Sequence, residues 1–157
     1  MIPLHKSNIK FLGEKAVDAH LSAQPPAAGF THIWMWPASA EHPYDFEVIA
    51  ASGAANHVID VKTTSKEWTA EFHMSSAELA WAAHSPVPYY IYRVSEMAPG
   101  EPSVLRISND VRSFAMATAL AFVQAAIPGT RAADVAIRPD APGLTWSDPI
   151  KLPPNLP

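Results

Sequence analysis

Apolar and polar residues follow helical spacing in some segments of the chain and strand spacing in others. Residues 13–23 carry apolar side chains near helical spacing, which predicts a helix, and prolines within residues 24–29 predict its end. Residues 30–36, 44–50 and 57–64 are rich in aromatic and β-branched side chains, as is typical of strands. A loop over residues 38–43 and a turn over residues 52–55 separate these strands.

The second half of the chain alternates in the same way. A short strand over residues 69–74 precedes a helix over residues 75–84, where Ser75 and Glu78 have capping-box spacing. Further strands are predicted over residues 89–94, 104–108 and 135–138, and a helix over residues 110–127 with Asp110 as N-cap. This order predicts one α/β domain over residues 1–157, with a central mixed β-sheet flanked by helices. The proline-rich residues 139–157 are predicted to form an extended tail.

Composition narrows the class of protein. Of 157 residues, 48% are apolar and 17% are charged, which is the balance of a folded globular chain. No cysteine is present, so disulfides and cysteine-ligated zinc are excluded, and no apolar run reaches the roughly 18 residues of a membrane helix. Residues 1–10 lack the apolar segment of a signal peptide, so we expect a cytoplasmic protein. The net charge of −4 argues against a broad basic surface, so any contact with nucleic acid should be local and helped by a metal ion.

Candidate chemistry lies on the strand over residues 57–64. Asp60 and Lys62 are two residues apart, so their side chains share one face of an apolar strand. Charges on such a face need water, each other or a ligand. Asp45, on the neighbouring strand, would supply a second carboxylate, and two carboxylates can hold Mg²⁺. The alternative is a solvated ion pair at a strand end, with little energetic consequence.

Five short motifs in a fixed order give these residues a context. They lie at residues 13–17, 44–46, 59–64, 72–79 and 90–94. Together they resemble the C-terminal domain family of NO VEIN, which includes bacterial proteins with restriction or defence helicases and resembles the PD-(D/E)xK nucleases. The resemblance implies a restriction-endonuclease-like core and a Mg²⁺-dependent endonuclease, with Mn²⁺ as a substitute. It further implies action on nucleic acid, with DNA favoured, in restriction or phage defence, and a homodimer or a larger helicase or ATPase partner.

The resemblance also implies roles for individual residues. Asp45 and Asp60 would be metal ligands, joined by the backbone carbonyl of Val61, and Lys62 would be the catalytic lysine. Glu14 would be the helix acid that approaches the metal. Asp60 departs from the family, which more often has Glu at that position, and its shorter arm moves the carboxylate.

Several alternatives stay open at this point. Glu14 could be a first-turn acid favoured by the helix dipole, and Glu47 could replace a ligand. The capping box alone explains Glu78. The whole fold could be a catalytically inactive nuclease-like module that binds nucleic acid or protein. It could also be a structural partner that docks through residues 139–157. No HExxH, GxSxG or GxxxxGK[ST] pattern is present, which disfavours a zinc hydrolase, a serine hydrolase and an ATPase.

Overall fold

The structure is a computed structural model, and it describes residues 6–24, 29–36, 42–125, 127–130 and 133–155. Within these ranges no helix is both long and apolar enough to cross a membrane. The helices and strands, in chain order, are α1 (Lys6–Ser22), β1 (Thr31–Trp34), β2 (Phe46–Ile49), β3 (Ala55–Thr63), β4 (Phe72–Ser75), α2 (Ser76–His84), β5 (Tyr89–Ser95), β6 (Ser103–Ser108), α3 (Arg112–Ala125), β7 (Asp134–Ile137) and β8 (Ile150–Leu152).

The main sheet is mixed, as predicted. Its six strands lie in the order β1-β2-β3-β5-β6-β8, and β4 and β7 form a separate two-stranded sheet. The pair β3 and β5 is parallel, while the other neighbours in the main sheet are antiparallel. A parallel pair needs a crossover, and the chain between β3 and β5 supplies one through β4 and α2.

The helices cover both faces of the main sheet, and each face has its own apolar cluster. Helix α1 packs on the face that carries Ile59 and Val61 of β3. Helices α2 and α3, with the small sheet, pack on the face that carries Val58. Asp60 and Lys62 share one face of β3, as the sequence predicted, and this is the face toward α2, where Lys62 contacts Glu78.

Helix α1 begins at Lys6, so the predicted start at residue 13 was wrong. Ile9 and Leu12 extend the apolar stripe back toward the N-terminus. Gly13, which looked like a boundary, is instead buried where α1 meets β3. A Cβ atom there would lie 1.8 Å from Oγ1 of Thr63, so glycine is what allows the helix to approach the strand this closely.

Two further expectations need correction, and strand β7 has a partner that the sequence left open. Helix α3 begins at Arg112, and Asp110 has φ 38°, so Asp110 does not have the extended backbone of an N-cap. Strand β7 pairs with β4 and not with the main sheet. The tail contains no helix within residues 139–155, but Ile150–Leu152 pairs with β6 as an edge strand. Its pairing partner lies more than forty residues earlier, and local sequence pattern carries no signal of it.

Candidate active site

Asp45 lies at the entrance to β2, where β2 and β3 separate. Its backbone N–H donates to the carbonyl of Ile59 at 2.8 Å, which is the last bond of the β2–β3 ladder. The next N–H on that edge of β3 belongs to Val61, and it donates to Oδ2 of Asp45 at 2.8 Å. A buried carboxylate therefore takes the place of a strand partner at this point.

Asp60 and Lys62 meet Glu78 of α2 on the α2 side of β3. Nζ of Lys62 lies 2.8 Å from Oδ2 of Asp60 and 3.0 Å from Oε2 of Glu78. The same Oε2 accepts the backbone N–H of Ser75 at 2.8 Å, while Oγ of Ser75 accepts the N–H of Glu78 at 3.1 Å. The predicted capping box is thus confirmed, but its glutamate also contacts the lysine, which the sequence analysis did not foresee.

Glu14 approaches the site from α1. It is 1% exposed, and its Oε2 accepts the indole N–H of Trp34 at 2.9 Å. Lys10, one turn earlier on the helix, places Nζ 3.6 Å from Oε1 of Glu14 and 3.6 Å from Oδ1 of Asp45. Because α1 begins at Lys6, Glu14 lies in the third turn, and its interpretation as a first-turn acid was wrong.

We call Glu14, Asp45, Asp60 and Glu78 the acidic cluster. Burial, with the neighbouring carboxylates of Asp60 and Glu14, raises the pKa of Asp45 to about 8. Burial and Asp60 also raise the pKa of Glu78. Burial alone would lower the pKa of Lys62, but Asp60 and Glu78 reverse this and raise it. Lys62 is therefore a fixed cation at neutral pH, in a cluster with more acids than bases.

Two clefts open at the site, and acids of the cluster line only the first. The acidic cleft, of about 380 Å³, is lined by Lys10, Asp45, Asp60, Glu78 and Trp81, among others. The strand-end cleft, of about 410 Å³, is lined by Lys10, Lys62, Thr64, His73 and Arg93, among others. Lys10 lines both clefts, so a chain-like ligand that spans the two would pass this residue.

The structure brings the predicted residues Glu14, Asp45, Asp60 and Lys62 close to one another. Across the described residues, no three or more histidine, cysteine, aspartate or glutamate side chains form a cluster that could hold a metal ion by themselves. The predicted ligand set used only two carboxylates and a backbone carbonyl. Lys10 was missed, although its spacing of four residues from Glu14 is the usual signal of a helical ion pair.

Comparison with known proteins adds one finding to this geometry. A protein-family model described as "Protein NO VEIN, C-terminal" matches residues 13–107, which is more than half of the chain. No curated protein and no solved structure matches the chain. The matched segment runs from the middle of α1 through β6 and contains all four acids of the cluster together with Lys62.

Proposed function

This chain belongs to the family of NO VEIN C-terminal domains, and we propose that it is a metal-dependent endonuclease that hydrolyses phosphodiester bonds in nucleic acid, with DNA the favoured substrate. The observation that carries the proposal is the ion pair between Lys62 and Asp60 on β3. Between these two residues, the backbone N–H of Val61 donates to the carboxyl group of Asp45. Two buried acids and a lysine converge at one point where strands separate. Packing alone offers no gain from such a grouping.

The donor atoms present suit a hard divalent cation. Asp45 and Asp60 supply carboxylate oxygens, and Oδ2 of Asp60 is buried without a well-formed hydrogen bond, although Lys62 lies beside it as an ion pair. The N–H and carbonyl of one strand residue point to the same edge, so the carbonyl of Val61 faces Asp45 as well. The acidic cluster has four carboxyl groups against the two ammonium groups of Lys10 and Lys62, so Mg²⁺ or Mn²⁺ would find more acids than bases at this site.

These contacts suggest a separate chemical role for the metal and for each residue of the site. A bound Mg²⁺ would acidify a water molecule and reduce the charge on the phosphoryl oxygens. Lys62, held as a cation by Asp60 and Glu78, would stabilise the charge that develops on the phosphate, and it would not act as a base. Glu14, held by the indole N–H of Trp34, would approach the metal from α1 through a water molecule.

The decisive experiment is cleavage of plasmid DNA with Mg²⁺, with Mn²⁺ and with EDTA. Wild type should nick the plasmid with either metal and not with EDTA. Asp60→Asn, which keeps the side-chain shape but removes the charge, should reduce nicking by roughly a thousandfold or more. Asp148→Asn, an equal change at an exposed position in the tail, is the matched control and should cleave like wild type. Equal activity in wild type and Asp60→Asn would reject the assigned site.

A second candidate is an inactive fold that serves as a binding module. It is favoured by the exposed apolar side chains of Met116, Leu120 and Phe122 on α3, which are 51%, 57% and 40% exposed. Helix α3, through Met116 and Leu120 on one face, is our candidate surface for a homodimer or for a helicase or ATPase partner in the cytoplasm. Absence of cleavage with every metal, together with binding of nucleic acid or of such a partner, would favour this candidate.

A further inference from the structure

Lys10 stands apart from the other charged residues of the site. It lies three residues before the segment that the family model matches, so the family assignment says nothing about it. Its ammonium nevertheless lies between Glu14 and Asp45, and it lines both clefts. The position is that of a cation placed among carboxylates at the entrance to the site.

The contacts of Lys10 are loose compared with those of Lys62. Both of its ion-pair distances are 3.6 Å, beyond the 2.7–2.9 Å that is typical of charged hydrogen bonds. Its side chain is 57% exposed, whereas that of Lys62 is 13% exposed. A lysine ammonium on a flexible four-carbon stem can move several ångströms at little cost when its contacts are of this kind.

A divalent cation at Asp45 would change the balance of forces on this ammonium. The cation would bind the Asp45 carboxyl group that otherwise faces Lys10 and would repel the ammonium at short range. The two clefts offer the displaced side chain a new partner, because a nucleic acid strand that spans them carries phosphates past it.

We propose that Lys10 is an exchangeable counter-ion, which shields Glu14 and Asp45 in the metal-free protein and binds a substrate phosphate once the metal is in place. The inference rests on the proposed function, since it deepens the account of the same site. Lys10 then weakens metal binding in the free protein, and it binds a phosphate of the substrate after the metal is bound.

The first test measures Mn²⁺ binding by titration calorimetry in the absence of nucleic acid. Lys10→Met should bind Mn²⁺ roughly fivefold more tightly than wild type, because one competing charge near 4 Å is removed. Lys10→Arg, which keeps the charge, should bind like wild type. Lys151→Met, at an exposed position on edge strand β8, is the matched control and should also bind like wild type.

The second test measures binding of a short labelled DNA duplex by fluorescence anisotropy, with Ca²⁺ or with EDTA. Lys10→Met should weaken binding roughly fivefold with Ca²⁺ and leave binding in EDTA nearly unchanged, since the ammonium contacts phosphate only when a metal holds Asp45. An equal loss under both conditions would make Lys10 an ordinary phosphate contact and would overturn the exchange.

The outcomes separate the two proposals. If wild type binds Mn²⁺ and Lys10→Met binds it no more tightly, the exchange is wrong while the nuclease proposal stands. If none of the four proteins binds Mn²⁺, the metal site of the proposed function is wrong and the role of Lys10 is rejected with it.

Discussion

The two sides of the acidic cluster hold their lysines in different ways. On the α2 side, Lys62 contacts two carboxylates at 2.8 and 3.0 Å, and one of these also closes the capping box of α2. On the α1 side, Lys10 lies 3.6 Å from its two partners and is mostly exposed. One side is therefore fixed before any ligand arrives, while the other can adjust. Under the proposed function, the fixed lysine would supply charge to the transition state, and the adjustable lysine would take part in reversible binding.

The largest effect should come from removing the fixed lysine. Lys62→Met leaves Asp60 and Glu78 facing each other without a cation, which should abolish cleavage and lower the free energy of unfolding by about 2–4 kcal/mol. Adding Asp60→Asn to this variant should restore most of the stability but none of the cleavage. Urea unfolding and plasmid nicking measure the two quantities. Wild-type stability in the single variant would show that the contacts of Lys62 with Asp60 and Glu78 do not stabilise the fold.

A smaller effect should separate the two roles of Glu78. Glu78→Gln keeps an acceptor for the N–H of Ser75 but loses the charge beside Lys62, so cleavage should fall roughly tenfold to a hundredfold. Ser75→Ala removes the other half of the capping box and should cost about 1 kcal/mol of stability with cleavage unchanged. Initial nicking rates and thermal melting compare the pair. Equal cleavage by both variants would mean that Glu78 acts through the helix alone.

A third effect concerns the pH dependence of stability at Asp45, beside the adjustable Lys10. The pKa of Asp45 is raised from 3.8 to about 8, so its folded state holds a proton that the unfolded chain releases. In the metal-free protein, the contribution of Asp45 to the free energy of unfolding is therefore largest below pH 3.8. It decreases as the pH rises toward about 8. The slope should not exceed about 1.4 kcal/mol per pH unit. Asp45→Asn should flatten this dependence in EDTA, and an unchanged slope would contradict the protonated carboxyl.

The sequence predicted the parts of this structure whose signals are local. Strands β3 and β5 are apolar runs of the right length, and α2 carries its own capping box, so these elements follow from short windows. The placement of Asp60 and Lys62 on one face followed from strand alternation alone. The resemblance to a known family, confirmed over residues 13–107, supplied the order of the motifs.

The rest depended on contacts between distant segments. Gly13 was interpreted as the start of a helix. Its actual role, the close approach to Thr63, depends on the packing of α1 on β3, which the local sequence does not show. Strand β8 exists through its partner β6, and three residues carry too little pattern to be recognised by themselves. The contact of Glu78 with Lys62 joins a helix to a strand sixteen residues away, so the capping box appeared to explain Glu78 fully.

The shared carboxylate of Glu78 has a consequence for how this domain can diverge. Helix α2 needs an acceptor at position 78, while Lys62 needs a negative charge there, and only glutamate meets both demands at this length. Under the proposed function, a descendant that abandoned cleavage would be released from the second demand alone. Glutamine at position 78 beside an uncharged residue at position 62 would then mark lineages that kept the scaffold and lost the chemistry.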